Sequence, residues 1–578
     1  MNINKTLLRT LVILGAVTQL HATSYYMTLS GSGAKTGADW ANSLAFTSMG
    51  VTANTNMQPG DTLFLGSGSY GDSRFGITSA GTAAAPKSLV GVDTGGGLPD
   101  FKGIQSTRSY TTITLNANAS YWTIKNLVIE HRDMGISAVG PNAGLVIDNV
   151  SVIDTKSKGF SFTDCDNLWV KNCSSYYYTE SGFMCNNSCD NVTFSDCVTD
   201  MIWTGTSSNP SRKASVDSPI GFNFNVKGST AANNTNILLQ DCETMNNDSN
   251  DGATYEQGDG FKMERGNSGV TFVRCFSHDN QDGAFDLKGD NQTLIDCIGE
   301  KSHYGFKLWY NGTLSNCIAL NNNARQVTIA ATSTGYSFSA DHCTFHGLST
   351  AQVGLAMEAA NTVALNNCLI TFSGTAGTYT GGTGSFPLTN TSKLAFTANT
   401  ANSPQFNNPV VPWDGLGNDF DNNTFGLTRG YNSQGDGTSA EQWDVITDNT
   451  DTTGAVTITG TWTSSTATTG FYGTDYLHDG NTGQGTKSVA YTPNLPRAGT
   501  YQVYARWTAS TNRATNVPID IISSTGKATV TVNQQNNGGT WVLLGTYDFL
   551  HGPVGSVTIR TTGANGYVIA DAVRFLQQ

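Results

Sequence analysis

Apolar and polar positions in the middle of the chain repeat as two short phrases that stay in phase. The first is a polar residue, then Asn, Asp or a substitute, then Cys or a small aliphatic residue: Lys125-Asn126-Leu127, Asp148-Asn149-Val150, Lys171-Asn172-Cys173, Ser195-Asp196-Cys197, Gln240-Asp241-Cys242, Val273-Arg274-Cys275, Ile295-Asp296-Cys297, Ser315-Asn316-Cys317, Asp341-His342-Cys343 and Asn366-Asn367-Cys368. The second is Gly159-Phe160, Gly182-Phe183, Gly221-Phe222, Gly260-Phe261, Ala284-Phe285 and Gly305-Phe306, each opening a run that alternates apolar and polar residues. Most steps are about twenty to twenty-six residues, the length of one turn of a solenoid built from strands. Alternation with period two marks each run as a strand. Two in-phase columns predict stacked coils in which each position lies one strand spacing, about 4.8 Å, from its copy. The fold expected is all-β, a right-handed parallel β-helix.

The pattern also divides the chain. Lys5 and Arg9, the apolar Leu11–Val17 and the small Ala22 have the order of a secretory signal, so residues 1–22 are expected to be removed and the protein to be secreted or held at the cell surface. No segment is long and apolar enough to predict a transmembrane helix. The coils begin near Tyr25, with Pro59-Gly60-Asp61 turning into the early strand Thr62–Leu65, and the β-helix is assigned to 23–390. Residues 391–442, rich in Asn, Thr, Gly and Pro, read as the helix end and a linker. From Trp443 the coil phrases stop. Alternation returns in Tyr501–Trp507, Val517–Ile521, Ala528–Val532, Trp541–Phe549 and Ser556–Arg560, which predicts an antiparallel β-sandwich over 443–578.

Composition narrows the partners. Charged residues make up only 13% and the net charge is −13. Nucleic acid is a poor partner for such a chain, because phosphate binding needs a basic face. Oxygen ligands in an acidic extracellular protein suit divalent cations. The 11 cysteines would ordinarily suggest disulfides in a secreted protein. Here Cys173 to Cys368 fall in one inward column, and Cys165 and Cys189 in a second, where a small thiol packs as Val or Leu would. They are expected to be unpaired. Nothing in the sequence calls for a partner subunit, and a monomer is expected.

One stretch carries charge where the other coils do not: Gly258-Asp259-Gly260-Phe261-Lys262-Met263, Asp282-Gly283-Ala284-Phe285-Asp286-Leu287-Lys288 and Tyr304-Gly305-Phe306-Lys307-Leu308. Aligning the phenylalanines puts Lys262, Asp286 and Lys307 in one outward column, with Asp259 and Asp282 in the preceding turns. Three carboxylates brought together repel unless a cation lies among them, and oxygen ligands of this kind suit calcium. Asp279 is close enough in sequence to be a fourth ligand. The same residues also fit a solvated ladder of Lys–Asp pairs.

These coil phrases, the Asp cluster and the Gly305-Phe306-Lys307-Leu308 segment resemble pectate lyases of polysaccharide lyase family nine over roughly residues 25–390. The resemblance implies that Asp259, Asp282 and Asp286 bind Ca2+ and that Lys307 is the Brønsted base. It implies an acidic polysaccharide such as pectate as substrate, cleaved by β-elimination. The family's Asp-rich segment has two adjacent Asp, whereas here Asp282 is followed by Gly283. Abstraction of the C5 proton of a uronate builds charge on its carboxylate, which calcium can stabilise. The base must be partly unprotonated, and a desolvated lysine beside other cations has a depressed pKa. Lys262 and Lys288 also fall on the outer face and are alternative bases. Two rival readings remain. A pectin-type glycoside hydrolase could use Asp282 and Asp286 with His278 or His303 nearby, but Gly-His-Gly and Arg-Ile-Lys segments are missing. A non-catalytic carbohydrate-binding or adhesin β-helix would not need a lysine beside an Asp cluster.

The C-terminal region resembles the domain that ends golvesin-like proteins and xanthan lyases. The resemblance is carried by Gly470-Phe471-Tyr472-Gly473, Tyr476-Leu477-His478-Asp479-Gly480, Tyr501–Trp507 and Val568-Ile569-Ala570-Asp571-Ala572-Val573. It implies carbohydrate binding by association. Tyr472, Tyr476 and Trp507 are expected to lie in the sandwich core rather than on a sugar-stacking face.

Overall fold

The computed structural model describes residues 22–578 except 202–218, 227–232, 249–256, 331–334, 348–352, 359–360, 374–387, 390–391, 397–443, 452–454, 496–498, 550–552, 554 and 578. The expected signal segment, apart from Ala22, and nearly all of the expected linker lie outside the described residues.

Coils form because each strand finds its copy in the next turn of the chain. Three parallel sheets result. The first runs from Ser24–Thr28 to Leu388–Thr389, the second from Asp100–Lys102 to Ser392–Phe396, and the third from Phe75–Ile77 to Val353–Met357. Pairing is parallel throughout, and each strand pairs with its counterparts in the coils before and after it. Ile237, for example, lies opposite Val192 and Val270. This is a parallel β-helix.

The phenylalanine column fills the interior. Phe160, Phe183, Phe222, Phe261, Phe285 and Phe306 lie opposite one another in register. Their rings stack with centroids 4.7, 4.9, 5.0, 4.9 and 5.0 Å apart, and all are buried. Stacking of this kind adds about 0.5–1.5 kcal/mol per pair beyond the area buried. The glycine before Phe261 answers to close approach: a Cβ at Gly260 would lie 2.0 Å from Ser277 Oγ and 2.7 Å from the Ala284 carbonyl.

The Asn/Asp column has a backbone cause. Asn126, Asn149, Asn172, Asp196, Asp241, Asp296, Asn316 and Asn367 all adopt φ between 50° and 60°. That left-handed conformation turns the first sheet into the second, and Asn and Asp tolerate it best after glycine. Side chains reinforce it: Asn149 donates to Asn126 Oδ1, Asn172 to Asp148 and Asn316 to Asp296. Next in chain comes the inward cysteine. All eleven cysteines are buried and none forms a disulfide. Iodoacetamide should therefore leave the folded protein unmodified and label every thiol after denaturation, read by intact mass. Labelling of the native protein, or a mass showing oxidised pairs, would contradict this packing.

The C-terminal region is a separate antiparallel sandwich. One sheet orders Asp444–Asp448, Ala572–Gln577, Gly499–Arg506 and Val542–Phe549; the other orders Val456–Thr459, Ser488–Tyr491, Ser556–Arg560, Val517–Ser523 and Gly526–Val532. Tyr501, Val503, Ile519, Ile521, Phe549, Val557, Ile559 and Phe575 point between the sheets and are fully buried. Tyr476 and Trp507 belong to this core as expected, whereas Tyr472 is half-buried at its edge. The sandwich touches the β-helix through Lys171 Nζ to Asp548 at 3.3 Å and Lys527 N to the Ala84 carbonyl at 3.1 Å. Lys171 lies on the first sheet, and the third sheet carries the charged column.

Candidate metal and lysine site

Three neighbouring strands of the third sheet carry the site: Phe261–Met263, Gly283–Leu287 and Tyr304–Leu308. The register sets Lys262 opposite Asp286 and Asp286 opposite Lys307, the column that alternation predicts. Because phenylalanine and leucine occupy the inner face, these three side chains must point outward. Asp259 and Asp282 reach the same spot from the turns before their strands.

Asp259, Asp282 and Asp286 each place a carboxylate oxygen within 4.8 Å of the others, and among the described residues they form the one such group. All three are buried, with exposures of 2%, 5% and 2%. Asp259 Oδ1 accepts a hydrogen bond from Gly283 N at 2.9 Å. A Cβ on Gly283 would crowd Asp259 Oδ1 at 3.1 Å and Asp286 Cβ at 3.2 Å, so glycine at this position keeps the carboxylates together. Where the resembled family has a second adjacent Asp, this chain presents a backbone N–H.

Cations surround the carboxylates on one side. Lys307 Nζ lies 3.2 Å from Asp282 Oδ2 and 3.6 Å from Asp286 Oδ2. Lys288 Nζ lies 2.7 Å from Asp286 Oδ2 and 3.6 Å from Glu264, while Lys262 pairs with Glu264 at 3.2 Å. Asp286 Oδ1 accepts from Trp309 Nε1 at 2.7 Å. Trp309 and Glu264 complete the site from outside the motifs. No spacing marks them, because the turns that follow their strands, not the strands themselves, bring them in.

Two expectations are corrected here. Asp279 is not part of the group. Its left-handed backbone (φ 53°) turns it to His278, whose Nδ1 lies 2.7 Å from its carboxylate. His278 also meets Glu243 at 3.2 Å; burial lowers its pKa, but hydrogen bonds to Asp279 and Glu243 outweigh this and raise it to about 9. The second correction concerns Lys307. A depressed pKa is expected of a base, yet here burial, which lowers it, is outweighed by Asp286, Asp282 and Asp259, which raise it. Carboxylates, not other cations, are its nearest neighbours. Lys288 is raised in the same way against the same burial, by Asp286 and Glu264.

The carboxylates divide unequally. Burial first, then Asp286 and Asp282, hold Asp259 well above the carboxylate range. Asp282 is also raised, by burial and then Asp286, against the opposing pull of Lys307. Asp286 is lowered, because Lys307, Lys288 and the Trp309 hydrogen bond outweigh its burial. An arrangement that protonates one buried carboxylate to relieve repulsion from two others is relieved equally by a divalent cation. The donor set, three hard oxygen ligands, therefore fits calcium.

A pH dependence follows. Groups raised in the folded state bind more protons folded than unfolded, so stability falls as pH rises between the two pKa values. Asp259 and Asp282 thus make the chelated protein less stable as pH rises above about 4, where unfolded carboxylates ionise. Asp286, shifted the other way, loses its contribution only below that range. In chelator, the melting temperature should fall from pH 5 to 8, and calcium should flatten the slope, as read by differential scanning fluorimetry. A slope unchanged by calcium would place the cation elsewhere.

A family model described as the Golvesin C-terminal domain matches residues 445–577, and one described as a right handed beta helix region matches residues 100–218. The helix is right-handed. A xanthan lyase of Bacillus sp. (strain GL1) is 50% identical over 135 residues, covering 23% of this chain and 14% of that protein. The chain therefore spans about a seventh of the length of that curated relative. The solved Paenibacillus xanthan lyase is 58% identical over 23% of this chain and 13% of its own, with a TM-score of 0.23. The crystal structure of pectate lyase Pel9A is 14% identical, covers 68% of this chain and 84% of its own, and has a TM-score of 0.37.

Proposed function

We propose that the chain is a secreted polysaccharide lyase that cleaves an acidic, uronate-bearing polysaccharide such as pectate by calcium-assisted β-elimination. One observation carries this reading: three buried carboxylates converge on one point while a lysine from the next coil reaches the same point. The 50%-identical relative is a xanthan lyase, which agrees with lyase chemistry, although the match covers only 135 residues.

Asp259, Asp282 and Asp286 would hold the calcium. Bound there, calcium supplies a Lewis acid for the uronate carboxylate next to the reacting carbon. With their charge taken up by an ion, the three carboxylates would no longer favour the ammonium form of Lys307, and burial would favour the free amine. Lys307 Nζ takes the C5 proton. The C5–H electron pair becomes the C4–C5 double bond, the C4–O bond breaks with its electron pair staying on the glycosidic oxygen, and that oxygen takes a proton from solvent as it leaves. No water molecule attacks. Trp309 fixes one oxygen of Asp286 and Lys288 the other.

Hydrolysis asks for a different geometry. Paired acid and base carboxylates stand about 5–9.5 Å apart across the scissile bond. Here Asp282 and Asp286 converge with Asp259, and both contact Lys307. The direct test is to incubate the purified protein with polygalacturonate and calcium and follow the ultraviolet absorbance of the unsaturated product. New reducing ends without that absorbance would favour the hydrolase; neither signal on pectate, alginate or xanthan would overturn catalysis on acidic glycans.

A further inference from the structure

The sandwich presents a second, quite different surface. On the sheet Asp444–Asp448, Ala572–Gln577, Gly499–Arg506 and Val542–Phe549, alternation sends Tyr501, Val503 and Ala505 inward and Gln502, Tyr504 and Arg506 outward. The register sets Tyr504 opposite Arg574 on one neighbour and Leu543 on the other, and Leu543 is 50% exposed. Trp541, just before its strand, stands beside Tyr472 with ring centroids 5.6 Å apart. The guanidinium groups of Arg506 and Arg574 lie 5.8 and 6.0 Å from the Trp541 ring, and Arg574 lies 5.7 Å from the Tyr504 ring. Tyr472, Tyr504, Trp541, Arg506 and Arg574 are all partly open to solvent.

Part of this cluster is internally satisfied. Asp444 holds Arg574 in a two-point pair at 2.7 and 2.8 Å, which fixes that guanidinium beside the aromatics. Arg506 donates only through Nε, to the Gly470 carbonyl at 3.1 Å. Among the described residues, no hydrogen bond or ion pair occupies its terminal nitrogens. An arginine with free terminal nitrogens beside an exposed indole offers two recognition elements at once. The ring plane accepts the C–H face of a sugar, and the fork matches a carboxylate.

Charge identifies the occupant. A chain of net charge −13 repels a polyanion over most of its surface, so retention on one needs a local cationic patch. A neutral glycan would use the aromatics without the arginines. We propose that this outer face binds an anionic polysaccharide chain, with a sugar ring on Trp541 and a carboxylate on Arg506. Tyr504 and Tyr472 extend the platform on either side. This holds independently of the lyase reading, since it concerns a different module and retention instead of turnover.

The test is native affinity electrophoresis of the full-length protein in gels containing polygalacturonate, alginate or neutral dextran, with chelator present so that polymer is not consumed. Both acidic polymers should retard the wild type and dextran should not. Trp541→Ala and Arg506→Ala should each weaken the retardation constant by about tenfold or more, the cost of losing a central contact. Trp541→Phe should keep most of it, and Thr531→Ala, at an exposed position on the opposite sheet, should keep all of it. Melting curves check folding; if Trp541→Ala is unfolded, Arg506→Gln at its half-exposed position decides. Wild type that runs freely in both acidic gels, equal retardation by dextran, or variants retarded as strongly as wild type would each overturn the proposal. So would loss of retardation in Asp286→Ala alone, which would assign binding to the β-helix. Turnover is read separately, so a protein that binds but releases no unsaturated product defeats the lyase reading and leaves this one standing.

Discussion

Lys307→Ala should lower turnover on polygalacturonate by about two to four orders of magnitude, or roughly 3–5 kcal/mol of transition-state stabilisation, the usual cost of losing a general base. The fold should survive, since Lys307 lies on the outer face and the Phe306 beneath it is untouched. Lys307→Arg is the sharper variant. Arginine preserves the pairing with Asp282 and Asp286 but stays protonated, so it should be nearly as inactive as alanine while melting like wild type. Steady-state rates and melting curves on the same preparations separate the two effects. If Lys307→Ala stays active and Lys288→Ala or Lys262→Ala does not, the column is right and the base is another member of it. Activity in all three would end the lyase reading.

Asp286→Ala should abolish calcium binding as read by titration calorimetry and reduce activity by about a hundredfold or more, the range expected when a ligand that also orients the site is lost. Asp286 contacts Lys288, Lys307 and Trp309 at once, so its removal leaves Lys307 to Asp282 and Lys288 to Glu264 alone. Trp309→Phe isolates one of those contacts. It keeps the ring and deletes the hydrogen bond to Oδ1, and should weaken calcium binding far less than Asp286→Ala. Wild-type calcium affinity in Asp286→Ala would remove the carboxylate group from the mechanism.

The β-helix was legible in the sequence because a solenoid repeats its constraints. From Asn126 on, the corner between the first and second sheets takes a left-handed residue, most often Asn or Asp, followed by a small apolar one, and the pair recurs turn after turn. The outward column of Lys262, Asp286 and Lys307 was legible for the same reason, since phenylalanine fixes the phase. What lay in turns was not. Asp279 is only three residues from Asp282, but one positive φ sends it to His278. Trp309 and Glu264 follow the ends of strands, where period two no longer says which way a side chain points. The carboxylates around Lys307 were legible from the column, but that they outweigh its burial while no ion is bound depends on distances that spacing does not give. In the sandwich, the tendency of aromatics to pack inside placed Trp507 and Tyr476 correctly but not Tyr472, which is half-buried at the edge of the core. Alternation put Trp541 at the head of a strand but did not show its setting, which depends on the loop carrying Tyr472.

The carboxylate group also has a mechanical meaning. In a solenoid each turn is held only by the one before and the one after, so turns can peel away singly from an end. Asp259 belongs to one turn, and Asp282 and Asp286 to the next. An ion held by all three is a rivet through adjacent layers, and Lys307 adds a third layer through its pairing with Asp282. Loading the rivet converts three loosely linked rungs into one block. Amide exchange across Phe261–Met263, Gly283–Leu287 and Tyr304–Leu308 should then slow as a unit, while rungs nearer the ends keep their own pace.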